Sequence, residues 1–220
     1  MLASIALVYS FTGTGQAITS ARPLFEDEIR RFEQQDVANP PEPGGIVFVG
    51  SSSIRLWSTL RQDFPGHSVI NRGFGGSQVS DSVQYVDRIV TNYRPRLVVF
   101  FAGTNDLASG KPAEVVLEDF RAFAGRVHAK LPKTRIIYLS ITPAPARWAN
   151  VGEVRQANRL IKEYTMKRPF MFFVDMYDEF VTITGDPRPE LFVEDQLHLN
   201  SKGYEVWTLR LRPILAAFTD

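Results

Sequence analysis

The chain has 220 residues, with 25 lysines and arginines against 24 aspartates and glutamates, for a formal charge of +1. That length suits one domain with a sizeable core, and a balanced charge with no run of like sign offers no binding surface for nucleic acid or an anionic membrane. With no cysteine in the chain, disulfides, thiolate metal sites and a cysteine nucleophile are excluded.

The opening "MLASIALVYSFTGTGQAITS" places an apolar run before small residues, the order of a secretory leader, but without the basic start such leaders carry. The expectation is a signal peptide or leader over residues 1–20, one domain over residues 21–220, and a secreted or periplasmic location, with the cytoplasm as the alternative. The run is shorter than the roughly 20 apolar residues that cross a bilayer, so no stable membrane insertion is expected. "PLFEDEIRRFEQQD" then sets Phe25, Ile29 and Phe32 at helical spacing, with acids in the first turn where the helix dipole favours them. "NPPEPGG" at 39–45 ends that helix and leads into the first strand.

Beyond residue 45, short apolar runs alternate with amphipathic segments. The runs at 46–49, 97–101, 135–141 and 170–175 are nearly continuous in apolar and β-branched residues, as in strands buried on both faces; a short run at 68–71 joins them by position. Between them lie three helical seams. The first is Val79, Val83, Val86, Val90 and Tyr93; the second is Val116, Phe120, Phe123, Val127 and Leu131; the third is Val154, Ala157, Ile161 and Tyr164. A final helix is expected from Asn200 to about Pro213. Strict alternation predicts an α/β fold, a three-layer α/β/α sandwich around a five-stranded parallel sheet with right-handed crossovers. In such a sheet the ligand site lies beyond the carboxyl ends of the strands.

The polar residues at those ends make chemical sense together. Gly50-Ser51-Ser52-Ser53 follows the first strand, Asn71-Arg72-Gly73-Phe74-Gly75-Gly76 the second and Gly103-Thr104-Asn105-Asp106 the third; the loop after the fifth reaches Asp195 and His198. A serine hydroxyl needs an imidazole to take its proton, and the imidazole needs a carboxylate to fix its tautomer. Glycine N–H groups and an asparagine amide are the donors that an oxyanion requires. This is the inventory of an acyl-transfer site.

"FVGSSSIRLW", "NRGFGGS", "GTND" and "DQLH" resemble, in order, the four blocks of the SGNH, or GDSL-type, serine hydrolases, from about residue 46 to the C-terminus. The resemblance implies a flavodoxin-like SGNH hydrolase fold, Ser52 as nucleophile, and Asp195 and His198 as its triad partners. It also implies an oxyanion hole made by the N–H of Ser52, the N–H of Gly76 and the side chain of Asn105. No cofactor and no metal are implied, and the substrate expected is a small-molecule or carbohydrate ester; the family alone selects no substrate, and small loops with no evident lid insertion favour short acyl or acetyl esters. The departure is Ser51, where the family usually has aspartate. The sequence sets no oligomeric state.

Plainer readings stand beside these. Ser51 or Ser53 can be an N-cap, "GFGG" a turn that fails the dinucleotide fingerprint, and Asn105 an Asx motif. Asp106 and Asp175 are rivals to Asp195 as the partner of His198. Trp57, Trp148 and Arg147 either line the substrate pocket or cover the sheet edge, while His67 and His128 are read as ordinary loop and boundary residues. Two other classes compete with the hydrolase: a non-catalytic carbohydrate-binding protein that keeps the fold, and a flavodoxin-like cofactor binder.

Overall fold

The computed structural model describes residues 23–218, so the leader expected over residues 1–20 lies outside the described residues. Helix α1 (Glu26–Ala38) precedes strand β1 (Ile46–Gly50), which runs into two short helical turns, α2 (Ser52–Arg55) and α3 (Leu60–Asp63). Strand β2 (Val69–Gly73), helix α4 (Val79–Ile89), strand β3 (Leu97–Phe101), the short α5 (Thr104–Ala108) and the long α6 (Ala113–Lys130) follow. Strand β4 (Arg135–Leu139), helix α7 (Val151–Met166), strand β5 (Met171–Val174) and helix α8 (Ser201–Ala217) complete the order. The five strands form one sheet in the order β2-β1-β3-β4-β5, and every pairing is parallel.

Alternation of side chains along each strand splits the core in two. Val47, Val49, Val98, Phe100, Ile136 and Tyr138 face a layer made by α1, α4, α6 and α7. Their neighbours Ile46, Phe48, Leu97, Val99, Ile137 and Leu139 face the layer of α2, α3 and α8. Strands buried on both faces need no polar alternation, which is why β3 reads as "LVVFF" and is buried throughout. The expected three-layer α/β/α sandwich is the fold observed.

Several element ends differ from expectation: β4 and β5 are shorter than their runs at 135–141 and 170–175, and three other ends have a visible cause. Helix α4 stops at Ile89 and Tyr93 belongs to a separate 3-10 turn, Thr91–Tyr93. Its hydroxyl donates to Asp36 at 2.5 Å and accepts from Arg72 at 2.9 Å, so it clamps α1 to β2 instead of extending the seam. That clamp also explains why β2 continues past residue 71. Arg72 is buried, yet it bonds Asp36 and the Asn71 carbonyl and lies against the rings of Phe32 and Tyr93. Finally, α8 passes through Pro213 to Ala217. Proline removes one helical hydrogen bond, but the residue that loses its partner, Leu209, is exposed, while Leu211 and Leu215 on the opposite face are buried against the sheet.

Candidate active site

The turn after β1 presents Ser52. Gly50 has φ of 142°, and a Cβ there would lie 1.9 Å from the Phe101 carbonyl oxygen, so only glycine lets β1 stay this close to β3 as it leaves the sheet. The Ser51 N–H donates to that same carbonyl at 3.0 Å. Helix α2 is then pinned from two sides: Asn71 Nδ2 donates to the Ile54 carbonyl at 2.5 Å, and the Tyr204 hydroxyl of α8 donates to the Ser53 carbonyl at 2.9 Å. Ser51 occupies the cap position of α2 but its side chain makes no capping bond.

Asp195 and His198 sit on the long connection between β5 and α8. Phe192 and Leu199 form an antiparallel bridge at the base of this turn. Asn200 secures it, donating through Nδ2 to the carbonyls of Glu190 and Phe192 at 2.9 Å each. Its Oδ1 accepts from the N–H groups of Lys202 and Gly203, capping α8. Within the turn, Asp195 Oδ1 accepts the N–H groups of Leu197 and His198, each at 2.9 Å, leaving Oδ2 free to face the ring.

The resulting relay is continuous. His198 Nδ1 lies 2.6 Å from Asp195 Oδ2, and His198 Nε2 lies 2.9 Å from Ser52 Oγ, across 146 residues of sequence. An ionised carboxylate only accepts, so the neutral ring carries its proton on Nδ1 and presents Nε2 as the acceptor for the serine hydroxyl. Burial pushes the Asp195 carboxyl up, but the His198 N–H, the His198 ring and the Leu197 N–H outweigh it and hold the group at about 2. The carboxylate is therefore charged at neutral pH.

Two segments supply donors beside the serine. Gly76 adopts the left-handed φ of 76°, which a residue with a side chain resists, at the turn between β2 and α4. Asn105 lies in the first turn of α5, shortly after β3, and its Nδ2 donates to the Ser77 carbonyl at 3.0 Å, tying the two segments together. The backbone N–H groups of Ser52 and Gly76 have no acceptor among the described residues. A cavity of about 20 Å³ adjoins Ser52, walled by Phe101, Asn105, Thr142, Leu197, His198 and Trp207; Gly76 is not part of that wall.

The remaining candidates fall elsewhere. Asp175 bonds Lys162 and the Tyr177 N–H, and Asp106 bonds the Val79 N–H and Lys111, so neither reaches His198. Trp57 is buried in an aromatic cluster with Phe48, Phe64, Tyr204 and Trp207, its Nε1 donating to Asp63 at 2.6 Å, and it belongs to the core. Arg147 and Trp148 lie in the 3-10 turn Pro145–Asn150, outside the cavity wall; this turn is joined to the histidine loop by the Ala146 N–H donating to the Gln196 carbonyl at 3.0 Å. The His128 ring meets the Thr134 carbonyl at 2.9 Å. Among the described residues no group of three or more His, Asp or Glu side chains is placed to hold a metal ion, and no helix is long and apolar enough to cross a membrane.

Comparison with known proteins adds a sequence-level match: residues 48–206 fit the profile of the GDSL-like Lipase/Acylhydrolase family. None of the curated proteins compared matches the chain. Among solved structures, a GDSL-like lipase from Bacteroides thetaiotaomicron superposes with a TM-score of 0.76 at 22% identity, over 87% of this chain and 98% of its own. A Bacteroides fragilis protein described as an acylhydrolase gives 0.73 at 24% identity, over 86% and 95%. A catalytic mutant of an acetylxylan esterase from Geobacillus stearothermophilus gives 0.61 at 16% identity, over 79% and 95%. At these identities the superpositions speak for the fold.

Proposed function

The chain belongs to the GDSL-like Lipase/Acylhydrolase family and is a carboxylic ester hydrolase, and from that premise we propose that it cleaves short acyl esters, acetyl esters foremost, through an acyl-serine intermediate. The observation that carries the mechanism is the relay from Asp195 through His198 to Ser52, with spacings of 2.6 and 2.9 Å. Ser52 Oγ attacks the ester carbonyl carbon while its proton passes to His198 Nε2. The charge that forms on the carbonyl oxygen is met by the N–H groups of Ser52 and Gly76 and the amide of Asn105, donors worth roughly 2.7–4 kcal/mol each when removed from such sites. Collapse breaks the C–O bond, and the leaving alkoxide takes the proton from Nε2. Water then attacks the acyl-serine with His198 as base, releasing the acid and restoring the hydroxyl.

The acyl preference rests on the size of the cavity beside the nucleophile. A volume of about 20 Å³ is close to that of one water site, which favours a small acyl group over a long chain. Acetylated carbohydrate is the natural class we favour, in keeping with the acetylxylan esterase among the fold neighbours. The test is hydrolysis of p-nitrophenyl esters from acetate to palmitate by the parent and by Ser52→Ala. Turnover confined to the parent, with kcat/KM for acetate at least about tenfold above that for octanoate, is expected. Equal rates in both proteins would remove Ser52 as the nucleophile, and a preference for long chains would remove the acyl assignment.

A further inference from the structure

Asp106 is fully buried beside the site, and the mechanism gives it no task. Its carboxylate takes the Val79 N–H on both oxygens, at 3.2 and 3.1 Å, and Lys111 Nζ on Oδ1 at 3.1 Å. Lys111 in turn bonds Asp119 at 2.8 Å and the Ser80 hydroxyl at 3.1 Å. A buried carboxylate is retained at a cost unless it is paired and fully bonded, so this arrangement has to be judged by what it holds in place. On one side it holds the first turn of α4, which begins three residues after Gly76. On the other it is the immediate neighbour of Asn105. The same two segments are joined again by Asn105 Nδ2 to the Ser77 carbonyl and by Gln78 Nε2 to Ser109 Oγ, at 3.0 Å each.

We propose that Asp106, braced by Lys111, is a positioning residue that fixes the separation between the Gly76 N–H and the Asn105 amide, and so sets the geometry of the oxyanion hole. The inference rests on the assignment of those two donors made above. Donors act on the transition state only when they are aimed at the place the oxyanion will occupy, and an error of about 1 Å in such a constellation can cost about 100-fold. The ground-state ester carries little charge on that oxygen, so a misplaced hole lowers kcat and leaves KM nearly unchanged.

Asp106→Asn is the variant to make, because an amide turns its NH₂ toward either the Val79 N–H or Lys111, whichever way it is placed. Steady-state kinetics on p-nitrophenyl acetate are measured for the parent, Ser52→Ala, Asp106→Asn, Asn105→Ala and the double variant at 105 and 106, with folding checked by circular dichroism. The expected result is a fall in kcat of about 10- to 100-fold for Asp106→Asn with KM within about twofold. In the Asn105→Ala background the second substitution costs less than about threefold, since one of the two donors it positions is already gone. Should Asp106→Asn fail to fold, Lys111→Met removes the brace and Lys111→Arg keeps it, so Met loses kcat and Arg retains it. A folded Asp106→Asn with parental kcat, or the same loss in both backgrounds, would overturn the inference while leaving the hydrolase reading intact. A parent without Ser52-dependent turnover would overturn both.

Discussion

Asp195 divides its two oxygens between two jobs: Oδ1 holds the backbone of its own turn, and Oδ2 orients the imidazole. Asp195→Asn separates them. The amide oxygen can still accept the N–H groups of Leu197 and His198, but its NH₂ then faces Nδ1 and favours the ring tautomer with the proton on Nε2, which cannot accept from Ser52. We expect kcat on p-nitrophenyl acetate to fall by about 10⁴ with little change in KM; a loss under tenfold would mean that the turn backbone alone orients the ring. The spacing of three makes the Asp195–His198 pair legible in the sequence, because one local turn brings such residues together. The strand-end rule brings the serine run to the same sheet edge as that pair, and the resemblance of four ordered blocks selects Ser52 within it, since no periodicity reports a contact spanning 146 residues. Asp106 shows the limit: its partner Val79 lies on another element, so it read only as a rival to Asp195. Trp57 was equally open, as an aromatic five residues after a nucleophile suits a core as well as a pocket.

Elements buried on both faces were the easiest to bound. Strand β3 coincides with its apolar run, whereas β2 extends past residue 71 through Arg72 and Gly73, which carry no strand signal; Arg72 is held by bonds to Asp36 of α1 and to Tyr93. Helix α8 differs in the other direction: Pro213 reads as a stop, yet the apolar face that continues through Leu215 is worth more than the hydrogen bond lost at the Leu209 carbonyl. That balance makes a prediction. Pro213 is exposed, and replacing it with alanine restores a helix N–H without disturbing a packed contact. Interior proline costs about 3 kcal/mol relative to alanine, and a freer unfolded chain returns up to about 1 kcal/mol of that. Pro213→Ala should therefore raise stability by about 2–3 kcal/mol in urea unfolding, and a decrease would show that the last turn depends on the fixed proline backbone.

Across the whole molecule, ionised carboxylates fasten outer elements to one another, and their pKa values set how the fold responds to acid. Hydrogen bonds from Arg88, then from Arg30, hold Glu26 at about 2. Arg88 also lowers Glu33, Lys130 lowers Asp87, Arg188 lowers Glu190, and Asp195 stands at about 2. Each such group is more acidic folded than unfolded, so its contribution is complete above the ordinary carboxylate range near 4 and is lost as pH falls toward 2. Asp106 has the opposite sign: burial raises it, so its protonation returns some stability in acid, against the pull of Lys111 and the Val79 N–H. The lowered groups outnumber it, and the melting temperature should stay level from about pH 8 to 5 and drop between about 4 and 2. Exposed pairs contribute little singly and are weakened by salt, but Arg88 gathers Glu26 and Glu33 into one network that docks α1 on α4. Arg88→Met should therefore lower the melting temperature at pH 7 and flatten the acid drop, because both glutamates return toward their ordinary values; an unchanged acid profile would place the titrating groups elsewhere. Helix α1 also reaches the site, where Glu28 Oε1 accepts the Gly75 N–H at 3.4 Å, one residue before Gly76. Loosening α1 in acid thus acts on the same turn that Asp106 holds from the other side.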